Sequence, residues 1–137
     1  MRQGPRMQGQ ERRILVVEDD PTMTEMLRIL LEDSGYRILT AESGEEALDF
    51  AREQIPDLIT LDLGLPGGID GREVVRRLRN DPETAAVPII VVTGMHFVPS
   101  SEERVEAVLT KPFDVAELED AVSRILGLRP GAGSAQS

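Results

Sequence analysis

The chain has 137 residues, 40% of them hydrophobic, with 25 acidic against 15 basic side chains, a formal charge of −10, one His and no Cys. That length suits one domain around a single core, and the lack of Cys excludes a disulfide framework and a thiolate metal site. The longest aliphatic runs, Ile14–Val17 and Ile89–Val92, are too short to span a membrane, no signal-peptide stretch is present, and the acidic balance argues against non-specific contact with nucleic acid or anionic lipid.

The charge is unevenly placed. Residues 1–13 hold four Arg and one Glu, so the remaining 124 carry 11 basic and 24 acidic side chains, a net of −13. Segments 1–11 and 129–137 lack apolar periodicity and are expected to be a disordered N-terminal segment and a disordered C-terminal tail or linker, leaving 12–128 as the folded domain.

Within it, short aliphatic runs alternate with amphipathic segments. Ile14–Val17 predicts a strand buried on both faces, stopped by Glu18-Asp19-Asp20-Pro21. Asp20 caps a helix with Pro21 in its first turn, Met23, Met26, Leu27, Leu30 and Leu31 as its inner stripe, and Gly35 at its end. Tyr36–Ala41 is a second strand. Ser43 and Glu46 form a capping box for a helix whose apolar side is Ala47, Leu48 and Ala51. Asp57–Leu63 is the third strand. After a Pro66-Gly67-Gly68 loop, Arg72–Asn80 is a helix with Val74, Val75 and Leu78 inward. Ile89–Thr93 is the most apolar strand. Glu102–Val105 is expected to form a short helix and Ala107–Thr110 the fifth strand. Asp114 with Glu117 caps a last helix lined by Leu118, Ala121, Val122, Ile125 and Leu126 up to Gly127.

A βαβαβαβαβα order calls for right-handed crossovers and a parallel sheet covered on both faces. Ligands of such sheets bind outside the carboxyl ends of the strands. Those ends carry Glu18, Asp19 and Asp20 after strand one, Asp62 in strand three, Thr93-Gly94 after strand four, and Lys111-Pro112, with the only Lys of the chain, after strand five. Clustered carboxylates repel one another, and a hard divalent cation such as Mg²⁺ relieves the repulsion. A carboxylate is also a competent nucleophile toward phosphorus, while an ammonium and a hydroxyl suit the oxygens of a transferred phosphoryl group.

Four strings carry a family resemblance: ILVVEDD (14–20), PDLITLDLGLPG (56–67), PIIVVTG (88–94) and LTKPF (109–113). In this order they resemble the receiver domain of two-component response regulators, over about Arg12 to Leu128. The resemblance implies a doubly wound, flavodoxin-like (βα)5 sandwich with strand order 2-1-3-4-5. It implies that Asp62 is the phosphoacceptor, that Asp19 is the main acidic ligand of Mg²⁺ (or Mn²⁺) with Glu18 assisting, and that the Gly64 carbonyl joins them. Thr93 and Lys111 would bind the phosphoryl oxygens, and Lys111–Pro112 would be cis. The implied partners are a sensor histidine kinase or histidine phosphotransfer protein and a downstream protein target, in the cytoplasm, with neither nucleic acid nor membrane bound directly. The chain would be a monomer or weak homodimer, would catalyse only its own phosphorylation and dephosphorylation, and would act through protein contacts.

The chain departs from the family pattern in three places. The position three before Lys111, usually aromatic, is Val108. Only 18 positions separate Thr93 from Lys111, which implies a shortened fourth helix region. The Gly-Gly-Ile-Asp-Gly stretch after Pro66 is one residue longer than the common family motif. The gap after Thr93 holds Met95-His96-Phe97-Val98-Pro99, where Phe97 or Val98 either tucks onto the core or meets a partner. His96 is expected to be an exposed loop residue, and an apolar Met95 to slow self-hydrolysis. Arg72, Arg76, Arg77 and Arg79 read as the solvated face of one helix. Two other functions stay open. One is a phosphorylation-independent pseudo-receiver scaffold. The other is a small haloacid-dehalogenase-type phosphohydrolase, although that chemistry wants a second Asp where this chain has Gly64.

Overall fold

The computed structural model describes residues 11–94 and 96–127. The expected disordered segments lie outside the described residues except for Glu11, as does Met95 with the role expected of it.

The elements are β1 (Arg13–Val17), α1 (Pro21–Asp33), β2 (Arg37–Ala41), α2 (Gly44–Gln54), β3 (Leu58–Leu61), α3 (Gly71–Asn80), β4 (Ile89–Thr93), β5 (Ala107–Thr110) and α4 (Val115–Leu126). All four strand pairings are parallel and the sheet order is β2-β1-β3-β4-β5, as expected. Strand alternation divides the core in two. Leu15, Val17, Ile59, Leu61, Ile89 and Val91 face Ala47 and Ala51 of α2 and Val74, Val75 and Leu78 of α3. Ile14, Val16, Leu58, Ile90 and Val92 face Leu27 and Leu31 of α1 and Leu118 and Val122 of α4.

Local chemistry sets the element ends. The Asp20 carboxylate accepts the Thr22 N–H at 3.0 Å and Pro21 opens α1. Gly35 turns the chain out of α1 at φ 99°, a conformation costly for any residue with a Cβ. Ser43 accepts the Glu46 N–H at 3.2 Å, and Asp114 donates its N–H to Glu117 at 3.0 Å at the start of α4. β3 is shorter than the predicted Asp57–Leu63. The Asp57 carboxylate takes the Arg13 N–H at 2.7 Å, and the Asp62 carboxylate takes the Gly64 N–H at 3.2 Å, so both acids bond sideways at the strand's margins.

Two expectations need correction. First, the described residues between β4 and β5 contain no helix: Ser101–Glu102 form only a turn. The Glu103 N–H bonds the Ser100 carbonyl at 3.0 Å, which begins a turn, but the Glu103 side chain is drawn inward and the turn does not propagate. The (βα)5 pattern is therefore a βαβαβαββα chain on the expected sheet. Second, the arginines of α3 are not a solvated row. Arg72 and Arg76 both pair with Glu103. The Arg79 side chain is largely enclosed and bonds the carbonyls of Ala85, Val87 and Arg104 and the Glu106 carboxylate. Only Arg77 remains mainly exposed, paired with Glu73 at 2.9 Å. The stripe is amphipathic as expected, but the loop that replaces a helix supplies carbonyls and carboxylates that hold three of its four members.

Of the two apolar candidates after Thr93, Phe97 is 7% exposed and packs into the α2–α3 side of the core, whereas Val98 is 65% exposed. His96 is exposed, as expected.

Candidate functional site

Parallel pairing brings the carboxyl ends of β1, β3, β4 and β5 to one edge, and the residues that follow meet there. The Glu18 N–H continues the ladder to the Ala41 carbonyl and the Asp62 N–H to the Val17 carbonyl, both at 3.0 Å. These bonds seat the two acids side by side. One carboxylate oxygen from each of Glu18, Asp19 and Asp62 can lie within 4.8 Å of the others. Glu18 is buried, Asp62 half-buried and Asp19 exposed, so the cluster opens to solvent on the Asp19 side.

Lys111 reaches into this cluster from β5. Its Nζ lies 3.2 Å from Glu18 Oε1 and 3.5 Å from Asp62 Oδ2. Its backbone N–H bonds the Thr93 carbonyl at 2.8 Å, and the Lys111–Pro112 peptide bond is cis. Thr93 is buried at the end of β4. Gly64 lies two residues beyond Asp62 and is exposed.

The electrostatics follow from this crowding. Burial pushes the Glu18 carboxyl above its ordinary value and the neighbouring Asp62 charge pushes it further, against the Asp20 N–H and Lys111. Burial opposes the Lys111 charge, but Glu18 and Asp62 together outweigh it and hold the ammonium above its usual value. Three carboxylates facing one ammonium leave the site short of positive charge. The donors are all hard oxygens, which fits Mg²⁺ in chemistry and charge.

The structure thus gathers Glu18, Asp19, Asp62, Gly64, Thr93 and Lys111 at one sheet edge. Val108 stands apart on β5, opposite Val91 and 38% exposed. Three neighbouring contributors were not anticipated. A methyl group on Gly71 would come within 2.5 Å of the Leu63 Cα and 2.8 Å of the Asp62 carbonyl, so only glycine lets α3 approach the strand end this closely. The other two are Arg72, read from sequence as solvated, and Glu103. Arg72 bonds Glu103 at 2.6 and 3.1 Å and sits 4.9 Å from the Phe97 ring centroid. No local motif announces a pair 31 positions apart; an Asp-Gly at a helix start was the one visible signal, for Gly71.

The chain is similar to known proteins over nearly all of this fold. Residues 14–123 match the response regulator receiver domain. The polar-differentiation response regulator DivK of Brucella ovis is 38% identical over 119 residues, covering 83% of this chain and 95% of the relative. Among solved structures, the receiver domain of a Pseudomonas aeruginosa sensor histidine kinase, with a magnesium ion coordinated in its active-site cleft, superposes with a TM-score of 0.78. It is 31% identical and covers 86% of this chain and 99% of its own. A CheY-like receiver domain from Methylobacillus flagellatus gives 0.75 at 30% identity, covering 85% and 99%. With the strand order, the clustered acids and the single Lys in place, this chain belongs to the response regulator receiver domain family of two-component signalling.

Proposed function

We propose that the chain is a phosphorylation-controlled signalling domain whose phosphoacceptor is Asp62. The observation that carries this reading is the position of Asp62: beside Glu18 and Asp19, with the Lys111 ammonium 3.5 Å from its carboxylate. The donor is a phosphohistidine on a sensor histidine kinase or histidine phosphotransfer protein. An Asp62 oxygen attacks phosphorus, the N–P bond breaks, and the donor imidazole leaves with the electron pair of that bond. Lys111 would balance charge on the phosphoryl oxygens, and Thr93 would bond one of them. Asp19 and Asp62 would hold Mg²⁺ directly, Glu18 would assist and the Gly64 carbonyl would join them; Mn²⁺ suits the same oxygens. When bound, the cation supplies positive charge to the transferred group and relieves carboxylate repulsion. New charge at Asp62 then shifts a two-state equilibrium that alters the surface offered to a downstream protein. The reading carries a cytoplasmic setting with it.

Intact-mass measurement tests it. Wild type with Mg²⁺ and acetyl phosphate should gain one phosphoryl group and Asp62→Asn none. No gain in wild type would favour a scaffold that works without phosphorylation.

A further inference from the structure

We infer that Arg72 is a positioning residue for the phosphoacceptor site, holding the chain that leaves β4, and with it Thr93, to the first turn of α3. The inference rests on the reading of Asp62 as phosphoacceptor.

Thr93 is the last residue of β4, and thirteen residues separate it from β5. With no helix among the described residues of that segment, something else must fix its path. Thr93 itself is held to β5 through its carbonyl on the Lys111 N–H, and beyond it the first core anchor among the described residues is Phe97, four positions on. The Arg72 guanidinium lies over that ring, donates to the Val98 carbonyl at 3.4 Å and pairs with both oxygens of Glu103. Glu103 in turn accepts the Ser100 N–H at 3.0 Å. One planar cation therefore grips the segment at three points. The other long anchor, Arg79, holds Arg104 and Glu106 at the far end, next to β5.

The placement of Arg72 on α3 links it to the acid side of the site. The preceding residue, Gly71, packs against the Asp62 carbonyl and donates its N–H to the Leu63 carbonyl at 3.0 Å. A single helical turn thus touches the Asp62 strand end through its backbone and the segment beyond Thr93 through one side chain. A shift there changes the separation of nucleophile and phosphoryl-binding hydroxyl, to which transfer is sensitive. The acids that would hold the cation, Glu18, Asp19 and Asp62, lie outside α3.

Arg76 provides the control. It shares Glu103 and pairs with Glu73, whereas the hydrogen bond to Val98 and the cation over the Phe97 ring belong to Arg72. Initial rates of phosphorylation by acetyl phosphate at saturating Mg²⁺, read by intact mass, should fall about tenfold in Arg72→Ala and stay within about twofold of wild type in Arg76→Ala. Mg²⁺ affinity, measured by calorimetry, should be unchanged in both. Equal rates in the two variants would overturn the assignment, leaving Arg72 a stabilising residue only. Should Arg72→Ala fail to fold, Arg72→Lys is read in its place. It keeps a charge for Glu103 but lacks the flat fork that covers Phe97 and reaches Val98, and a wild-type rate there overturns the assignment too. A wild type that takes no phosphoryl group sinks the phosphoacceptor reading and this inference with it. An active wild type with insensitive Arg72 variants sinks the inference alone.

Discussion

Lys111 Nζ and Glu18 Oε1 lie 3.2 Å apart across 93 positions of sequence, making an ion pair at the edge where β1 and β5 end. Glu18 is almost fully enclosed, whereas Lys111 keeps a quarter of its side chain in solvent. The pair therefore sits at the mouth of the cluster, with its acid inside and its base at the rim. It gives the buried carboxylate a partner, but one ammonium is shared with Asp62 and cannot neutralise three acids.

Removing that ammonium should expose the imbalance. Lys111→Met is expected to lose about 1–2 kcal/mol of stability at neutral pH without metal, because Glu18 is left buried and uncompensated. Mg²⁺ should stabilise both proteins, by about 2.7 kcal/mol at a hundredfold excess over the dissociation constant. Phosphorylation by acetyl phosphate should drop at least tenfold in the variant only. Urea titrations with and without Mg²⁺, at matched ionic strength, check the first two points, and a variant as stable as wild type without metal would contradict the electrostatic account.

Acid should loosen the β4–β5 segment through Glu103. Hydrogen bonds from Arg72 hold its carboxyl at about 2, below the value of about 4.3 in an unfolded chain. The folded state thus gives up this proton at lower pH than the unfolded state. The resulting stabilisation, about 3 kcal/mol, is complete above roughly pH 5 and disappears as pH falls toward 2. Glu103→Gln should be less stable than wild type at pH 7, and the gap should close on acidification. Urea midpoints that stay a constant distance apart between pH 7 and pH 3 would be the wrong result.

Two glycines near the site should respond very differently to a methyl group. At Gly71 the new carbon would press on the backbone of Asp62 and Leu63, so Gly71→Ala should cost on the order of 2–3 kcal/mol and displace the Asp62 turn. At Gly94 nothing lies within 4 Å and no left-handed backbone is required. Gly94→Ala should therefore change stability by less than about 0.5 kcal/mol. Thermal midpoints decide, and equal losses would refute the steric distinction.

Thr60 offers a gain in stability. It is buried in β3, opposite Val16 and Ile90, and its hydroxyl has no hydrogen-bond partner among the described residues. Replacing that hydroxyl by a methyl in Thr60→Val removes an unsatisfied buried polar group at nearly the same shape. Stability should rise by about 1 kcal/mol with Mg²⁺ affinity unchanged. A lower urea midpoint in the variant would show that the hydroxyl is satisfied in solution.

Period and punctuation in the chain determined the sheet and its flanking helices. Continuous β-branched runs such as Ile89–Thr93 suit strands enclosed on both faces, and Asp20-Pro21 and Ser43-Gly44 begin helices by local hydrogen bonding. The same regularity made the candidate site legible, because a parallel sheet brings all its strand ends to one edge whatever the loops do. Tertiary structure alone decided what stands between β4 and β5. Glu102–Val105 has the composition of a helical turn, but Glu103 finds two arginines on α3 and goes inward. Those arginines, a solvated face by local pattern, become the loop's anchors. Each partner is ordinary in its own segment; the pairing exists only once β4 lies beside β3 and brings the loop over α3. Local rules see spacing along the chain, whereas this clamp depends on distance in space, so no reading of either segment by itself contains it.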